Sequence, residues 1–178
     1  ALSVMTAFTG WSHPAQAQKE QDTITIGAAL SFTGKYGING KHTRRGYELA
    51  KLLINEKGGV SVGGRKYQLA IKYYDDESNP VLARKLAKRL ITKDKVRLLL
   101  GPYSTSTTAT VAEVAEKHKV PLVQANGASL SLFDKGYKYM FAVLSSADRY
   151  LVFSDGTRVP TDGSLAYRDN GNTYVMNN

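Results

Sequence analysis

Short apolar segments of strand length alternate with segments whose apolar residues recur at helical spacing through most of this 178-residue chain. The strand-like segments cover residues 23–30, 67–73, 96–101, 120–124 and 139–144. The segments between them predict helices and, in one case, a turn or short helix over residues 129–134. Strands separated by helices form right-handed crossovers. The alternation therefore predicts an α/β fold of three layers, in which helices cover both faces of a mostly parallel, Rossmann-like sheet.

The predicted helices carry signals for their ends and for their buried faces. Gly58-Gly59 ends the first helix, whose periodic residues are Gly46, Leu49, Ala50, Leu53 and Ile54. In the second helix we expect Asn79 to be the N-cap and Pro80 the first helical residue. Its buried stripe is predicted to be Leu82, Leu86, Leu90 and Ile91. The third helix is predicted over residues 107–119.

Function is expected at one edge of this sheet. In open α/β sheets, ligands bind beyond the carboxyl ends of the strands, near the point where the strand order reverses. Three loops, residues 31–43, 101–108 and 125–131, follow predicted strands. We therefore expect candidate ligand-binding residues in these three loops.

The first loop is rich in glycine but does not match a phosphate-binding loop. That motif has four residues between its first Gly and a Gly-Lys-Ser/Thr sequence. Here five residues separate Gly34 from Gly40, and Lys41 is followed by His42. Two interpretations stay open: the glycines permit a tight turn, or the turn carries Tyr36 as an aromatic wall over a ligand.

The second and third loops offer hydroxyl and amide groups to a ligand. A row of five hydroxyl side chains, residues 104–108, lies where a strand ends and a helix begins. Unpaired N–H groups and the helix dipole favour a carboxylate or another small anion there. Capping uses one hydroxyl, so the row indicates a ligand contact. In the third loop, small residues let a ligand approach the backbone, and Ser129 adds a hydroxyl.

No motif predicts catalysis, a cofactor or a metal site. The chain has no cysteine, and its three histidines are isolated in the sequence. The acidic residues 75–77 have two interpretations: loop solvation and helix capping, or acid–base chemistry and cation binding. The sequence therefore predicts a protein that is not an enzyme.

The charge of the chain favours anionic partners without identifying one. The 24 Lys and Arg residues exceed the 15 Asp and Glu residues, for a net charge of +9. Much of the excess lies on the second helix, within residues 84–95. That segment lacks interleaved aromatic residues, so it is predicted to be a solvated face, and nucleic acid is not an expected partner.

The two ends of the chain differ from this alternating body. Residues 1–17 are uncharged and end in Ala15-Gln16-Ala17, which is typical of a signal peptide remnant and predicts export to the periplasm. Residues 151–178 contain three turn dipeptides, Asp155-Gly156, Asp162-Gly163 and Asn170-Gly171. The spacing predicts a hairpin-rich tail, a short β-meander of unknown role.

Four segments together resemble one protein family. They are ITIGAALSFTGKYGINGKHTRRGYELAKLLIN, YDDESNPVLARKLAKRLI, LLLGPYSTSTTATVAEVAEKHKVPLVQANGASLSL and KGYKYMF. In this order they resemble the type I periplasmic solute-binding proteins of the branched-chain amino acid class, which are receptors of ABC importers. The resemblance covers residues 23–148 and implies the first of two Rossmann-like lobes that close over a small ligand.

The resemblance also implies roles for residues of the three loops. The second loop, at Thr105 and Ser106, and the third, at Ala128 and Ser129, match segments that hold the ligand's carboxylate. Tyr103 and Ser104, in the same second loop, are further candidates for ligand contact. Tyr36 and Asn39 match the region that supplies an aromatic or polar wall. The family pattern stops near Tyr150, and residues 151–178 match none of its second lobe.

The expected function is that of an exported solute-binding receptor of an ABC importer, or of a truncated single lobe of one. The expected ligand is a small carboxylate, such as an amino acid or an aromatic acid, with no cofactor. An ABC permease and a second copy of the chain are the expected partners. The alternative is a sensor or interaction domain, outside transport, with a basic partner-binding surface.

Overall fold

The computed structural model describes residues 22–147 and the backbone of two strands, residues 166–169 and 172–175. Residues 22–147 contain six strands: β1 (Thr23–Leu30), β2 (Val60–Val62), β3 (Arg65–Asp75), β4 (Leu99–Leu100), β5 (Leu122–Gln124) and β6 (Met140–Ala142). Three helices connect them: α1 (Gly37–Glu56), α2 (Pro80–Thr92) and α3 (Thr105–His118). A short 3-10 helix, Leu130–Leu132, lies between β5 and β6. No helix in the described part of the chain is long and apolar enough to span a membrane.

The six strands form one sheet in the order β2-β3-β1-β4-β5-β6. All neighbouring pairs are parallel except β2 with β3, which are antiparallel. The predicted three-layer, mostly parallel α/β fold is thus confirmed. The short edge strand β2 was not predicted as a strand, because three residues before the Gly63-Gly64 turn carry little periodic signal.

The strand order reverses between β1 and β4. The chain leaves β1 through α1 to reach β3 on one side, then returns through α2 to β4 on the other side. Parallel strands end at the same edge, so the segments after β1, β3, β4 and β5 share one edge of the sheet. That edge is where a ligand is expected in such a fold.

The main core lies where α2 and α3 pack against each other and against the sheet. Ala87, Leu90, Leu99, Val111 and Ala115 are among its buried members. In α2 the fully buried residues are Ala83, Ala87 and Leu90, whereas Leu82, Leu86 and Ile91 are half-buried. The predicted stripe of α2 is therefore rotated: small alanines face α3 and let the two helices approach closely.

Helix α1 contacts β3 with a polar side rather than with its apolar residues. The Asn55 side chain accepts from the Leu69 amide at 2.8 Å and donates to the Leu69 carbonyl at 2.9 Å, which satisfies the backbone of β3 beyond the end of β2. The helical periodicity of Leu49 and Leu53 does not mark a buried face, since they are 56% and 48% exposed. Asn55, in the last turn of the same helix, is the residue that bonds β3.

Local signals set the ends of α2 and α3. Asn79 accepts from the amides of Val81 and Leu82, and Pro80 is the first residue of α2, as predicted. Ser104 is the N-cap of α3, so this helix begins two residues earlier than expected. Helix α1 begins at Gly37, so only residues 31–36 of the predicted first loop are outside the helix.

In the tail, β7 (Ala166–Asp169) and β8 (Asn172–Val175) form an antiparallel pair in which Asp169 is opposite Asn172. These strands flank the predicted Asn170-Gly171 turn. All three turn dipeptides of the tail and the signal peptide prediction for residues 1–17 lie outside the described residues.

Candidate functional site at the carboxyl edge of the sheet

The first loop, residues 31–36, is held by the carboxylate of Asp75 at the end of β3. The Asp75 Oδ1 atom accepts from the Phe32 amide at 2.8 Å and from the Glu77 amide at 2.9 Å, and Oδ2 accepts from the Thr33 hydroxyl at 2.8 Å. Burial raises the pKa of Asp75, but these hydrogen bonds outweigh it and hold the pKa below its ordinary value. Asp75 is therefore an ionised anchor of the loop.

Asp76 makes a second connection between the ends of β1 and β3. Its side chain is fully buried, and its Oδ1 atom accepts from the Ser31 hydroxyl at 2.5 Å and from the Ser78 amide at 2.9 Å. The Oδ2 atom has no hydrogen-bond partner among the described residues. Burial raises the pKa of Asp76, against the effect of its two hydrogen bonds. The Asp76 side chain therefore connects the end of β1 to the turn that precedes α2.

The acidic segment 75–77 is thus a structural element of the edge. Asp75 and Asp76 organise the first loop through backbone amides and hydroxyls, which supports the structural interpretation of these residues over acid–base chemistry. In the described parts of the chain, no group of three or more Asp, Glu or His side chains is placed to hold a metal ion.

The second loop turns into α3 through Ser104, which has a positive φ of 84°. Its hydroxyl accepts from the Thr107 amide at 3.4 Å and lies 2.9 Å from the Thr107 hydroxyl. The Thr107 and Thr108 side chains are fully buried and donate back to carbonyls of the same loop, those of Tyr103 and Ser104. Three of the five consecutive hydroxyls thus form hydrogen bonds within the loop and the first turn of α3.

The polar groups of this loop that remain free are at the first turn of α3. The Thr105 and Ser106 amides are its first two N–H groups and have no acceptor within residues 22–147. Ser106 is exposed, and its hydroxyl lies 3.2 Å from the Ser104 hydroxyl. Two free N–H groups at a helix N-terminus, close to hydroxyls, can bind a carboxylate.

Two tyrosines bring the first and second loops together. The rings of Tyr36 and Tyr103 are tilted against each other, with their centroids 5.5 Å apart. A third tyrosine, Tyr47 of α1, donates its hydroxyl hydrogen to the Gly101 carbonyl at 2.7 Å, which joins α1 to the start of the second loop. Burial raises the pKa of Tyr47 to about 12, so this donor stays protonated at physiological pH. The aromatic pair therefore lies beside the start of the second loop, where the strand order reverses.

The third loop is shaped by the buried side chain of Gln124, the last residue of β5. Its Oε1 atom accepts from the amides of Asn126 and Gly127 at 3.1 and 2.7 Å, and its Nε2 group donates to the Gly127 carbonyl at 3.0 Å. A Cβ atom at Gly101 would lie 2.5 Å from the Gln124 Cβ. Gln124 therefore fixes the third loop and packs against the second.

The structure brings most of the predicted site residues to one edge. Tyr36, Tyr103, Ser104, Thr105, Ser106, Ala128 and Ser129 all lie in segments that follow neighbouring parallel strands. The Ser129 hydroxyl lies 2.9 Å from that of Ser131, and the Ala128 carbonyl accepts from the Ala147 amide. Asn39 is exposed in the first turn of α1, and its side chain makes none of the hydrogen bonds that join these loops within the described residues.

Sequence reasoning missed the residues that hold the loops in place. Tyr47 lies inside a predicted helix, and only its distant partner Gly101 reveals its role. A signal did exist for Gln124, because a polar residue at the end of an apolar strand must find buried hydrogen-bond partners. The paired acidic residues at the end of β3 carried a signal of the same kind.

Comparison with known proteins identifies this architecture. Residues 23–152 match the family model described as periplasmic binding protein. Leu/Ile/Val-binding protein homolog 7 of Brucella suis biovar 1 (strain 1330) is 28% identical to the chain over 141 residues, which cover 79% of this chain and 33% of the relative.

Two solved structures share the fold and part of the sequence. The branched-chain amino acid transporter substrate-binding protein LivJ of Streptococcus pneumoniae, in complex with isoleucine, has a TM-score of 0.64 and 29% identity, covering 70% of this chain and 34% of LivJ. An ABC transporter solute-binding protein of R. palustris, in complex with 4-hydroxybenzoate, has a TM-score of 0.58 and 29% identity, covering 70% and 32%. The chain spans about one third of the length of these proteins. It belongs to the periplasmic binding protein family, and its fold matches part of a type I lobe of that family.

Proposed function

We propose that the chain binds a small carboxylate, such as an amino acid or an aromatic acid, at the carboxyl edge of its sheet, as a solute-binding receptor of an ABC importer. One observation carries the proposal: the free N–H groups of Thr105 and Ser106 open beside the Tyr36–Tyr103 ring pair. A carboxylate on these N–H groups would place the rest of the ligand near the rings. The relatives in complex with isoleucine and with 4-hydroxybenzoate support a ligand of this class.

The roles within the site follow from what each group offers. The two amides and the Ser106 hydroxyl bind the carboxylate, with the α3 dipole adding to the attraction. Tyr36 and Tyr103 contact the apolar or aromatic part of the ligand. Asn39, Ala128 and Ser129 line the rim, where small side chains leave room for the ligand.

The 178-residue chain is expected to bind weakly. These loops cover one side of a ligand, whereas tight small-molecule sites bury most of the ligand surface. We expect millimolar or weaker dissociation constants for leucine, isoleucine, valine and benzoates in NMR titration or calorimetry. Micromolar binding by a monodisperse monomer would show that the reasoning about one open side is wrong.

A proline substitution tests the role of the N–H groups directly. Thr105→Pro removes one N–H at the first helical position, which proline favours, and Ser104 has the ψ of 153° that a residue before proline requires. Because the φ of Ser104 is positive, at 84°, circular dichroism melting of the variant verifies that α3 still forms. We expect roughly a tenfold or greater loss of carboxylate affinity, the loss of a charge-assisted hydrogen bond. Thr105→Ala keeps the N–H and is the matched control. Equal losses in both variants would contradict binding by the amide.

We further propose that the protein is exported to the periplasm and delivers its ligand to an ABC permease. The relatives are periplasmic binding proteins and ABC transporter components, and Ala15-Gln16-Ala17 matches a signal peptidase site. Replacing Ala17 with a bulky residue should block processing and release into the periplasmic fraction. We propose in addition that two copies of the chain associate as a homodimer. Sedimentation at several protein concentrations tests this association.

A further inference from the structure

Among the described residues, a strongly basic surface lies away from the ligand loops, where α2 and α3 pack together. Helix α2 contains Arg84, Lys85, Lys88 and Arg89 and no acidic residue. Arg84 and Lys88, and likewise Lys85 and Arg89, are like charges four residues apart, a spacing that destabilises a helix. A solvated helix surface normally mixes both signs. Helix stability alone therefore does not account for this concentration of one sign.

The structure adds basic residues from α3 to those of α2. A groove of about 360 Å³ between the two helices is lined by Arg84, Lys88, Glu113, Val114, Lys117 and His118. Lys117 and His118 come from the last turn of α3, some thirty residues away in sequence from the α2 residues. The sequence placed these charges in separate segments, whereas the fold joins them.

A second groove continues the same surface along α2. Its volume is about 590 Å³, and it is lined by Lys85, Lys88, Arg89, Thr92, Lys93 and Asp94. Lys88 lines both grooves, so the two are adjacent. We call the surface formed by the linings of the two grooves the basic face.

The acidic residues of the basic face are already paired. Glu113 forms an ion pair with Arg84, and Asp94 forms one with Lys72. The Arg89 guanidinium lies 4.8 Å from the centroid of the Tyr74 ring. Within residues 22–147, Lys85, Lys88, Lys93 and Lys117 form no ion pair, which leaves four exposed ammonium groups on one side of the molecule.

We propose that the basic face docks the protein on an anionic phospholipid surface, such as a bilayer that contains phosphatidylglycerol. Lysines on a broad open face suit a diffuse layer of negative charge, because each ammonium is a flexible, well-hydrated point charge. Protein interfaces are anchored by aromatic or aliphatic side chains, and the second groove has none in its lining. Single-stranded nucleic acid needs stacking platforms, whereas no Phe, Tyr or Trp side chain among the described residues lines either groove, and the Tyr74 ring beside this face is covered by Arg89.

Docking through this face leaves the proposed ligand site accessible. Lys117 is twelve residues beyond Thr105 in α3, which places it about 18 Å further along the helix axis. The ligand loops lie at the opposite end of α3, at the carboxyl edge of the sheet. A protein held by its basic face would therefore keep that edge open to solutes close to the bilayer surface.

The test is co-sedimentation of the 178-residue chain with vesicles of phosphatidylcholine alone or mixed with phosphatidylglycerol. We expect binding to the mixed vesicles, lost as salt is raised, and none to phosphatidylcholine. Each basic residue near an anionic surface contributes about fivefold in binding. A quadruple substitution of the free lysines should therefore weaken binding by roughly a hundredfold or more: Lys85→Gln, Lys88→Gln, Lys93→Gln and Lys117→Gln.

A matched variant separates this face from net charge. It removes the same charge from exposed lysines outside both grooves: Lys41→Gln, Lys57→Gln, Lys66→Gln and Lys135→Gln. This control should lose less than about tenfold in vesicle binding, and circular dichroism melting verifies that both variants fold. Equal losses in the two variants, no binding by the wild-type chain, or preferential binding of single-stranded RNA over the vesicles would each overturn the proposal.

Discussion

Replacing Gly40 with alanine should destabilise the protein, although alanine is the better helix former. Gly40 lies in the first turn of α1, where an added Cβ atom would be 1.7 Å from the Ser31 carbonyl oxygen. That oxygen belongs to the backbone at the end of β1, so either the helix or the strand end must move by more than an ångström. Such overpacking costs about 1–3 kcal/mol, and a backbone obstacle places Gly40→Ala near the upper value.

Gly46 in the same helix is the matched control. A Cβ atom there would meet no atom within 4 Å, and the residue is exposed. Gly46→Ala should therefore stabilise the protein by about 0.5–1 kcal/mol through helix propensity alone. The two alanine variants should differ in melting temperature by about 10 °C in circular dichroism. If Gly40→Ala melts at or above the wild type, α1 does not approach Ser31 this closely, and our account of how the first loop is positioned is wrong.

Three further substitutions test the residues that hold the loops. Gln124→Met should cost about 2–4 kcal/mol in urea unfolding, because it leaves buried backbone groups unpaired. The control is Gln68→Met, at a half-buried residue whose side chain makes none of the described hydrogen bonds, and it should change stability by less than about 0.5 kcal/mol. Similar values for the two variants would refute this. Asp75→Asn should cost about 1 kcal/mol at neutral pH. The pKa of Asp75 is lowered in the folded state, so ionised Asp75 stabilises the fold fully above its unfolded-state pKa of about 3.9. This stabilisation is lost as the pH falls through the folded-state pKa. The difference in unfolding free energy between the wild type and Asp75→Asn should therefore shrink in acid. Tyr47→Phe should cost about 1–2 kcal/mol, since the buried Gly101 carbonyl loses its donor, and an unchanged unfolding midpoint would contradict that hydrogen bond.

The fold was predictable because its signals are local and repeated. Strand-length apolar runs, the Asn79-Pro80 cap and the glycines that follow α1 each act within a few residues. Their order along the chain is enough to imply crossovers and a parallel sheet. The sheet edge where a ligand is expected follows from that topology, so the three loops could be chosen without coordinates.

The burial of α1 could not be predicted from spacing. Leu49 and Leu53 have the periodicity of a buried stripe, yet the helix is oriented by Tyr47 and Asn55, whose partners are backbone groups of distant residues. A side chain that bonds a remote carbonyl leaves no pattern in its own neighbourhood. The orientation of a helix on a sheet is a tertiary property, and here hydrogen bonds outweigh the apolar pattern.

The hydroxyl row of the second loop shows the same limit within the candidate site. The number of hydroxyls in the row suggested ligand contacts, but the Thr107 and Thr108 side chains are buried and donate to carbonyls of the same loop. Serine and threonine commonly bond nearby backbone groups, so a count of hydroxyls cannot separate internal from external use. Only the coordinates show which groups at the start of α3 keep a free donor.

The polar groups of the carboxyl edge thus divide into two sets with different expected effects. One set, with Asp75, Asp76 and Gln124, is occupied in shaping the loops, so its substitution should change stability first and affinity only through the loop positions. The other set, the Thr105 and Ser106 amides, has no described acceptor, so removing one should change affinity at nearly constant stability. If Thr105→Pro melts like the wild type yet binds carboxylates poorly, while Asp75→Asn melts earlier yet binds them at low temperature, the division holds. The opposite pattern would mean that the ligand is held by the loop-shaping set.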